Sequence, residues 1–187
     1  MTTTEWILDA SHGELLVTTG VAGPAAKMGH RLTIAFRSWT ASVDWDSDEP
    51  VAAEVTVEVD SLEVLRGEGG VKGLSGPEKM LARSNALGVF DAKKFPTITF
   101  RADDVASIDG GYSLTGTLEI HGVARERTVE VQVSDAGDSW RLSCDTEVLH
   151  SDFTMKPYSM VLGAMRVEDA VAVSFSAQVA KDRSARG

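Results

Sequence analysis

The chain has 187 residues, of which 43% are hydrophobic and 25% charged, with a formal net charge of −10. That length and balance fit one globular domain, 1–187, with a core that needs neither disulfides nor metals. The acidic excess disfavours nucleic acid and anionic membrane surfaces as partners.

The N-terminus, with Glu5 and Asp9 around Trp6, Ile7 and Leu8, has neither the basic start nor the continuous apolar run of a secretion signal. No apolar stretch approaches the ~20 residues of a membrane-spanning helix, so cytoplasmic residence is expected. The run Ala25, Ala26, Lys27, Met28, Gly29, His30 sets two polar side chains among small residues just before an apolar strand. Lys27 and His30 could hydrogen-bond a carbonyl or phosphate at the rim of a pocket; a solvated bend is the plainer reading.

Strict alternation then recurs. Leu32, Ile34 and Phe36 share one face of a strand, as do Trp39, Ala41, Val43 and Trp45, and then Val55, Val57 and Val59 with Glu54, Thr56, Glu58 and Asp60 opposite. Period-two patterning of this kind marks half-buried antiparallel strands. The glycine-rich stretch 67–73 lacks the third glycine of a dinucleotide fingerprint and the Gly-Lys-Ser/Thr of a phosphate loop, and reads as a flexible connection. It leads into the one helical signal, 75–87. Ser75 and Glu78 form a capping box, Pro77 suits the first turn, Met80, Leu81, Ala82 and Leu87 could make an apolar stripe, and Gly88 could stop it.

Alternation resumes at Thr97, Ile98, Thr99 and Phe100. After a turn at Gly110 and Gly111 it continues through Tyr112, Leu114, Gly116, Leu118 and Ile120 on one face. Val129, Val131 and Val133 follow, then Trp140, Leu142, Cys144, Thr146 and Val148, then Val171, Val173, Phe175, Ala177 and Val179. The acid pair Asp103 and Asp104 reads as a solvated loop. About eight or nine strands result. One short helix cannot cover them, so their apolar faces must bury one another in a barrel or sandwich. Segment 153–165 is apolar without clean alternation, is broken by Pro157, and holds Met155, Met160 and Met165. It is expected to plug one end of the core, and Phe153, Met155 and Met160 could also touch a ligand there. The basic tail, 181–187, is expected to be disordered.

Catalytic and metal signals are weak. His12, His30, His121 and His150 show no metal-ligand spacing, no Gly-x-Ser-x-Gly occurs, and no triad spacing stands out. Cys144 is the only cysteine, which precludes an intrachain disulfide; its place in an alternating row marks it as a small buried side chain. No catalytic residue and no metal site is assigned.

Two motifs carry a resemblance. Phe90 with Lys94, Phe95, Pro96, Ile98 and Phe100, followed by Gly116, Leu118, Ile120 and Gly122, resembles the paired motifs of the YceI-like family. Trp6 with Asp9, and Ser151-Asp152-Phe153, are similar to its N-terminal and late elements. His150 stands where arginine is usual, Thr154 where glycine is, and Val64-Leu65 where a Ser-Ile run is. The resemblance implies an all-β, lipocalin-like extended antiparallel barrel of about eight strands, enclosing an apolar tunnel that holds a polyisoprenoid chain or an isoprenoid quinone. It also implies a homodimer, and family members are often exported.

Together these readings describe a non-enzymatic binding or carrier protein with no cofactor beyond a bound isoprenoid lipid, no nucleic-acid partner and no stable membrane insertion. By strand parity Phe36, Val57, Phe100, Leu118, Ile120 and Phe175 face inward. Two alternatives stand beside it: an enzyme using Lys27, His30 or His121 as acid–base groups on a lipid-like substrate, and an oligomeric stress-response protein with a filled core.

Overall fold

The computed structural model describes residues 3–181. Twelve strands and one α-helix account for most of them: β1 (Thr3–Asp9), β2 (Gly13–Ala22), β3 (His30–Phe36), β4 (Trp39–Asp46), β5 (Glu49–Glu58), β6 (Leu62–Gly69), α1 (Gly76–Phe90), β7 (Thr97–Ile108), β8 (Gly111–Ile120), β9 (Val123–Asp135), β10 (Ser139–Leu149), β11 (Ser159–Met160) and β12 (Met165–Ala180). All pairings are antiparallel, in one sheet ordered β1-β4-β5-β7-β8-β9-β10-β12-β2-β3-β6, with β11 added to β12.

That sheet is curled into a barrel-like shell. Trp39 on β4 and Phe175 on β12 are six strands apart in the order, a separation of roughly 29 Å in a flat sheet. Their ring centroids are 5.2 Å apart, edge to face. Only curling brings them together, and what drives it is the burial of one apolar face of every strand.

Three elements make the sheet longer than the alternation indicates. β1 and β2 are short on strict period-two pattern, and β6 loses its pattern after Val64 in Leu65-Arg66-Gly67. In β7 the register shifts between Ala102 and Asp104, so Ile98, Phe100 and Ala102 face inward, and Val105 and Ser107 do so after the bulge. Asp103 and Asp104, read as a loop, lie inside this strand at the bulge. Val59, read as the end of a strand, instead opens a 3-10 turn after β5 and is 1% exposed.

Helix α1 starts as its sequence dictates. Ser75 accepts from the Glu78 amide at 3.3 Å, and Glu78 accepts from the Ser75 amide at 2.6 Å, with Pro77 in the first turn. Gly88 does not end it: the helix runs through to Phe90, and Asp91 takes the left-handed cap at φ 49°. The apolar stripe also differs from expectation. Met80 and Leu81 are exposed, while Ala82, Ala86 and Phe90, spaced by four, pack on the core. Arg83 fixes the helix over β6, an edge strand, with Nε donating to the Leu62 carbonyl at 2.8 Å and Nη2 to that of Asp60 at 2.5 Å.

At the β8–β9 hairpin Ile120 pairs with Val123, leaving a two-residue turn of His121 (φ 55°) and Gly122 (φ 72°). Two left-handed residues match the twist of the flanking strands, and glycine takes the second place without strain. A side chain at Gly122 would also meet the Phe95 ring at 2.6 Å. Lys181 ends the described chain held in place, its amide on the Asp138 carbonyl at 2.9 Å and its ammonium 2.6 Å from Asp135. The rest of the expected tail, 182–187, lies outside the described residues.

Candidate functional site: an apolar cavity inside the shell

The apolar faces do not all meet. Where β3, β4, β5, β6 and α1 converge, Leu8, Ile34, Phe36, Trp39, Val57, Leu62, Val64 and Leu142 form a packed core. Elsewhere the curled sheet encloses a cavity of about 910 Å³, near the top of the range for ligand sites. Its wall takes the inward row of each strand: Val43 and Trp45 from β4, Ile98 and Phe100 from β7, Tyr112 to Ile120 from β8, Val129 to Val133 from β9, and Val171 to Phe175 from β12. Along β8 the lining covers eight residue steps, about 26 Å at strand rise.

The two ends differ. One end is framed by the β4–β5 and β7–β8 turns, with Ser47, Asp48, Gly110 and Gly111 at its rim. The other is sealed. A 3-10 turn at His150–Phe153 folds under the sheet, and Phe153, 0% exposed, packs with Ile120 and Met155 against Val89, Phe90, Ile98, Leu118, Val123 and Val148. His121 pins this plug by hydrogen bonding through Nδ1 to the Phe153 carbonyl at 3.3 Å. Arg125 Nε donates to the Asp152 carbonyl at 2.9 Å. Ser151 donates from its amide and hydroxyl to the Asp169 carboxylate, at 2.8 and 2.5 Å, and these bonds hold the Asp169 carboxyl below the usual range.

Seven residues expected to contact a ligand line the cavity: Phe36, Val57, Phe100, Leu118, Ile120, Met155 and Phe175. Phe153 lies behind the wall, in the plug. Met160 is on the outer surface, exposed in the two-residue strand β11 beside Val161 and Leu162. Lys27 and His30 are not at the rim. Lys27 is in a 3-10 turn at Ala26–Met28, and His30 Nε2 is bonded to the Lys72 carbonyl at 2.6 Å, near Gly70. His121 is outside the wall, stacked edge to face on Phe95 at 4.8 Å. Lys27, His30 and His121 therefore do not converge in the pocket as the enzymatic alternative requires. The cavity leaves the interior unfilled, in contrast to the filled core of the third alternative. Among the described residues no cluster of three potential metal ligands occurs, and no helix is long and apolar enough to cross a membrane.

The alternating rows pointed to most of this wall, Trp45, Tyr112, Trp140, Cys144 and Thr146 included, but not to Trp6, Arg127 or His150. Trp6, Trp45, Tyr112 and Trp140 all face the cavity, Trp6 packed against Trp45 with centroids 4.6 Å apart and planes tilted by 49°. Cys144 also lines it; burial pushes its thiol up, and Asp145 adds to the shift. It is kept as a protonated, weakly nucleophilic group. Arg127, Thr146 and His150 are polar side chains of the inner wall. Arg127 was legible as the inward member of the Val129, Val131, Val133 row, extended by one step.

The YceI-like domain model matches residues 6–179, nearly all of the described chain. The chain belongs to the YceI-like family. Curated relatives include UPF0312 proteins of Yersinia pestis (strain Pestoides F) and Yersinia pseudotuberculosis (serotype O:1b), each 29% identical over 153 residues, covering 72% of this chain and 75% of theirs. Among solved structures, Burkholderia cenocepacia BcnA aligns with a TM-score of 0.68 at 22% identity, over 93% of this chain and 99% of its own. The Campylobacter jejuni YCEI protein aligns at 0.61 and 18% identity, over 80% and 85%. These likenesses at low identity establish a shared shell. In this YceI-like chain, the family's Phe90–Phe100 motif region joins the end of α1 to β7 and contributes Phe90, Ile98 and Phe100 to the cavity wall.

Proposed function

We propose that this YceI-like protein is a binding protein that carries a long-chain lipid, an isoprenoid chain or isoprenoid quinone, inside its shell. The observation that carries the reading is the cavity of about 910 Å³, walled mainly by aliphatic and aromatic side chains and closed at one end. An extended hydrocarbon suits a narrow apolar space some 26 Å long. A tail of about twenty carbons gains roughly 16 kcal/mol gross at ~0.8 kcal/mol per methylene. That exceeds even the upper part of the ~4–15 kcal/mol cost of association. Binding therefore needs no covalent or metal chemistry. A transport role in the cytoplasm and a homodimeric state are parts of the same proposal.

The test uses the protein's own reporters. Trp6, Trp45 and Trp140 face the cavity, so delipidated protein titrated with geranylgeraniol should show saturable quenching at one lipid per chain. Non-saturable quenching, or none, would remove the carrier reading.

A further inference from the structure

Between Asp48 at the open rim and His150 beside the plug, one arginine interrupts the apolar wall. Arg127 stands on β9 in the inward row with Val129, Val131 and Val133. Both flanks leave it room. Its partner on β8 is Gly116, which has no side chain to share that face. A Cβ at Gly116 would come within 1.9 Å of the Arg101 carbonyl oxygen, so the gap next to Arg127 is built into the sheet. On the other flank the β9–β10 ladder has ended. The two strands pair only from Gln132 with Ser143 to Asp135 with Trp140.

Arg127 spans that opening. Its Nη2 donates to the Glu147 carbonyl and, at 3.4 Å, to the Thr146 hydroxyl. Nε and Nη1 have no acceptor among the described residues, and no described carboxylate lies within ion-pair distance. A guanidinium carries five donors in a planar fork and stays charged. Arg127 is half-buried, and where its fork borders the apolar cavity a charged group is costly without a counter-charge. A pure hydrocarbon guest would displace water from it and offer nothing in return, whereas an oxyanion would match the fork.

We propose that Arg127, with the Thr146 hydroxyl beside it, anchors an acidic headgroup, a carboxylate or a phosphate monoester, at the end of the chain lodged in the cavity. The proposal rests on the carrier reading and sharpens it: the cargo is an amphipathic acid. Charge-assisted hydrogen bonds from a fixed fork supply the preference.

Three probes with one shared tail test it on delipidated full-length protein: geranylgeraniol, geranylgeranoic acid and geranylgeranyl monophosphate, with affinities from tryptophan quenching. The wild type should bind at least one of the two acids about tenfold or more tighter than the alcohol. Which acid wins distinguishes a carboxylate cargo from a phosphate cargo. Arg127→Met should collapse the preference to near unity, and Arg127→Lys should restore part of it. Equal binding of all three probes by the wild type overturns the anchor while the carrier reading stands. Binding of none overturns the carrier reading, and the anchor with it. Parallel loss of all three in Arg127→Met, with a lowered melting temperature, makes Arg127 a strut between β9 and β10 and overturns the anchor. If Arg127→Met does not fold, wild type and Arg127→Lys decide: a weaker acid preference in the lysine variant supports the fork, and an identical preference overturns it.

Discussion

The two ends of the shell are built from the same kind of strand yet do opposite things. At the plugged end, Ile120, Phe153 and Met155 are buried and interlock with α1 and the β7–β8 and β9–β10 walls. Towards the other end, Phe100, Leu114, Val131 and Val173 have the same chemistry and the same inward direction, but they are only half-buried and face empty space. The difference is supplied by irregular chain. A 3-10 turn after β10 and the C-terminal turn of α1 deliver Phe153, Met155 and Phe90 into one end. Nothing comparable enters from the β4–β5 and β7–β8 turns. Alternation alone makes a hollow shell; segments that break the alternation decide where it is filled.

The largest effect should separate the ends by truncation. Phe153→Ala should cost about 3–5 kcal/mol in urea unfolding, as for a fully packed aromatic. Phe100→Ala should cost less than half of that, because its ring already borders a void. Equal losses would mean that the cavity is not a feature of the protein in solution.

Enlargement should separate them in the reverse sense. Ile120→Trp overpacks the plug and should lose about 1–3 kcal/mol. Leu114→Trp grows into empty space, so its unfolding midpoint should scarcely move while geranylgeraniol uptake is lost. Retained uptake in Leu114→Trp would place the lipid somewhere other than this cavity.

The smallest effects concern the helix that helps close the shell. Ser75→Ala removes half of the capping box and should cost about 1 kcal/mol. The Glu78 carboxyl is held below its ordinary range by its bonds to the Ser75 amide and hydroxyl. A depressed carboxylate lends its stability above the unfolded value, and that contribution fades as pH falls through the folded one. The α1 amides should therefore gain hydrogen exchange as pH drops below the usual glutamate range. Substitution Glu78→Gln should flatten this response; an unchanged response would assign the acid sensitivity elsewhere.

Much of the shell was legible because one face of each strand had to be apolar. Parity alone put Phe36, Val57, Phe100, Leu118, Ile120 and Phe175 inward, and the structure has all six on the cavity wall. What parity cannot carry is tertiary supply. The bulge at Ala102–Asp104 reverses the pattern within β7, so Asp103 and Asp104 looked like a loop. Met80, Leu81, Ala82 and Leu87 looked like the buried stripe of α1, but the docking direction set by Arg83 on the β6 edge turns Ala82 inward with Ala86 and Phe90 and leaves Met80 and Leu81 exposed. Phe153 and Met160 share an apolar segment, yet one is the centre of the plug and the other is exposed on β11. The chain between them turns at Thr154, in the left-handed region at φ 53°, and no periodicity announces such a turn. Lys27 and His30 were placed at a rim by composition, but they lie off the cavity wall because the β2–β3 connection is at the end away from the β4–β5 and β7–β8 turns.

The central claim is that the interior shelters a guest. Native mass spectrometry of the protein, purified without detergent and compared before and after organic extraction, tests it most directly. The account predicts one extra mass per chain in the range of a long-chain isoprenoid, removed by extraction and restored on incubation with the extract. A bare polypeptide mass throughout, with no species taken up from the extract, would contradict it.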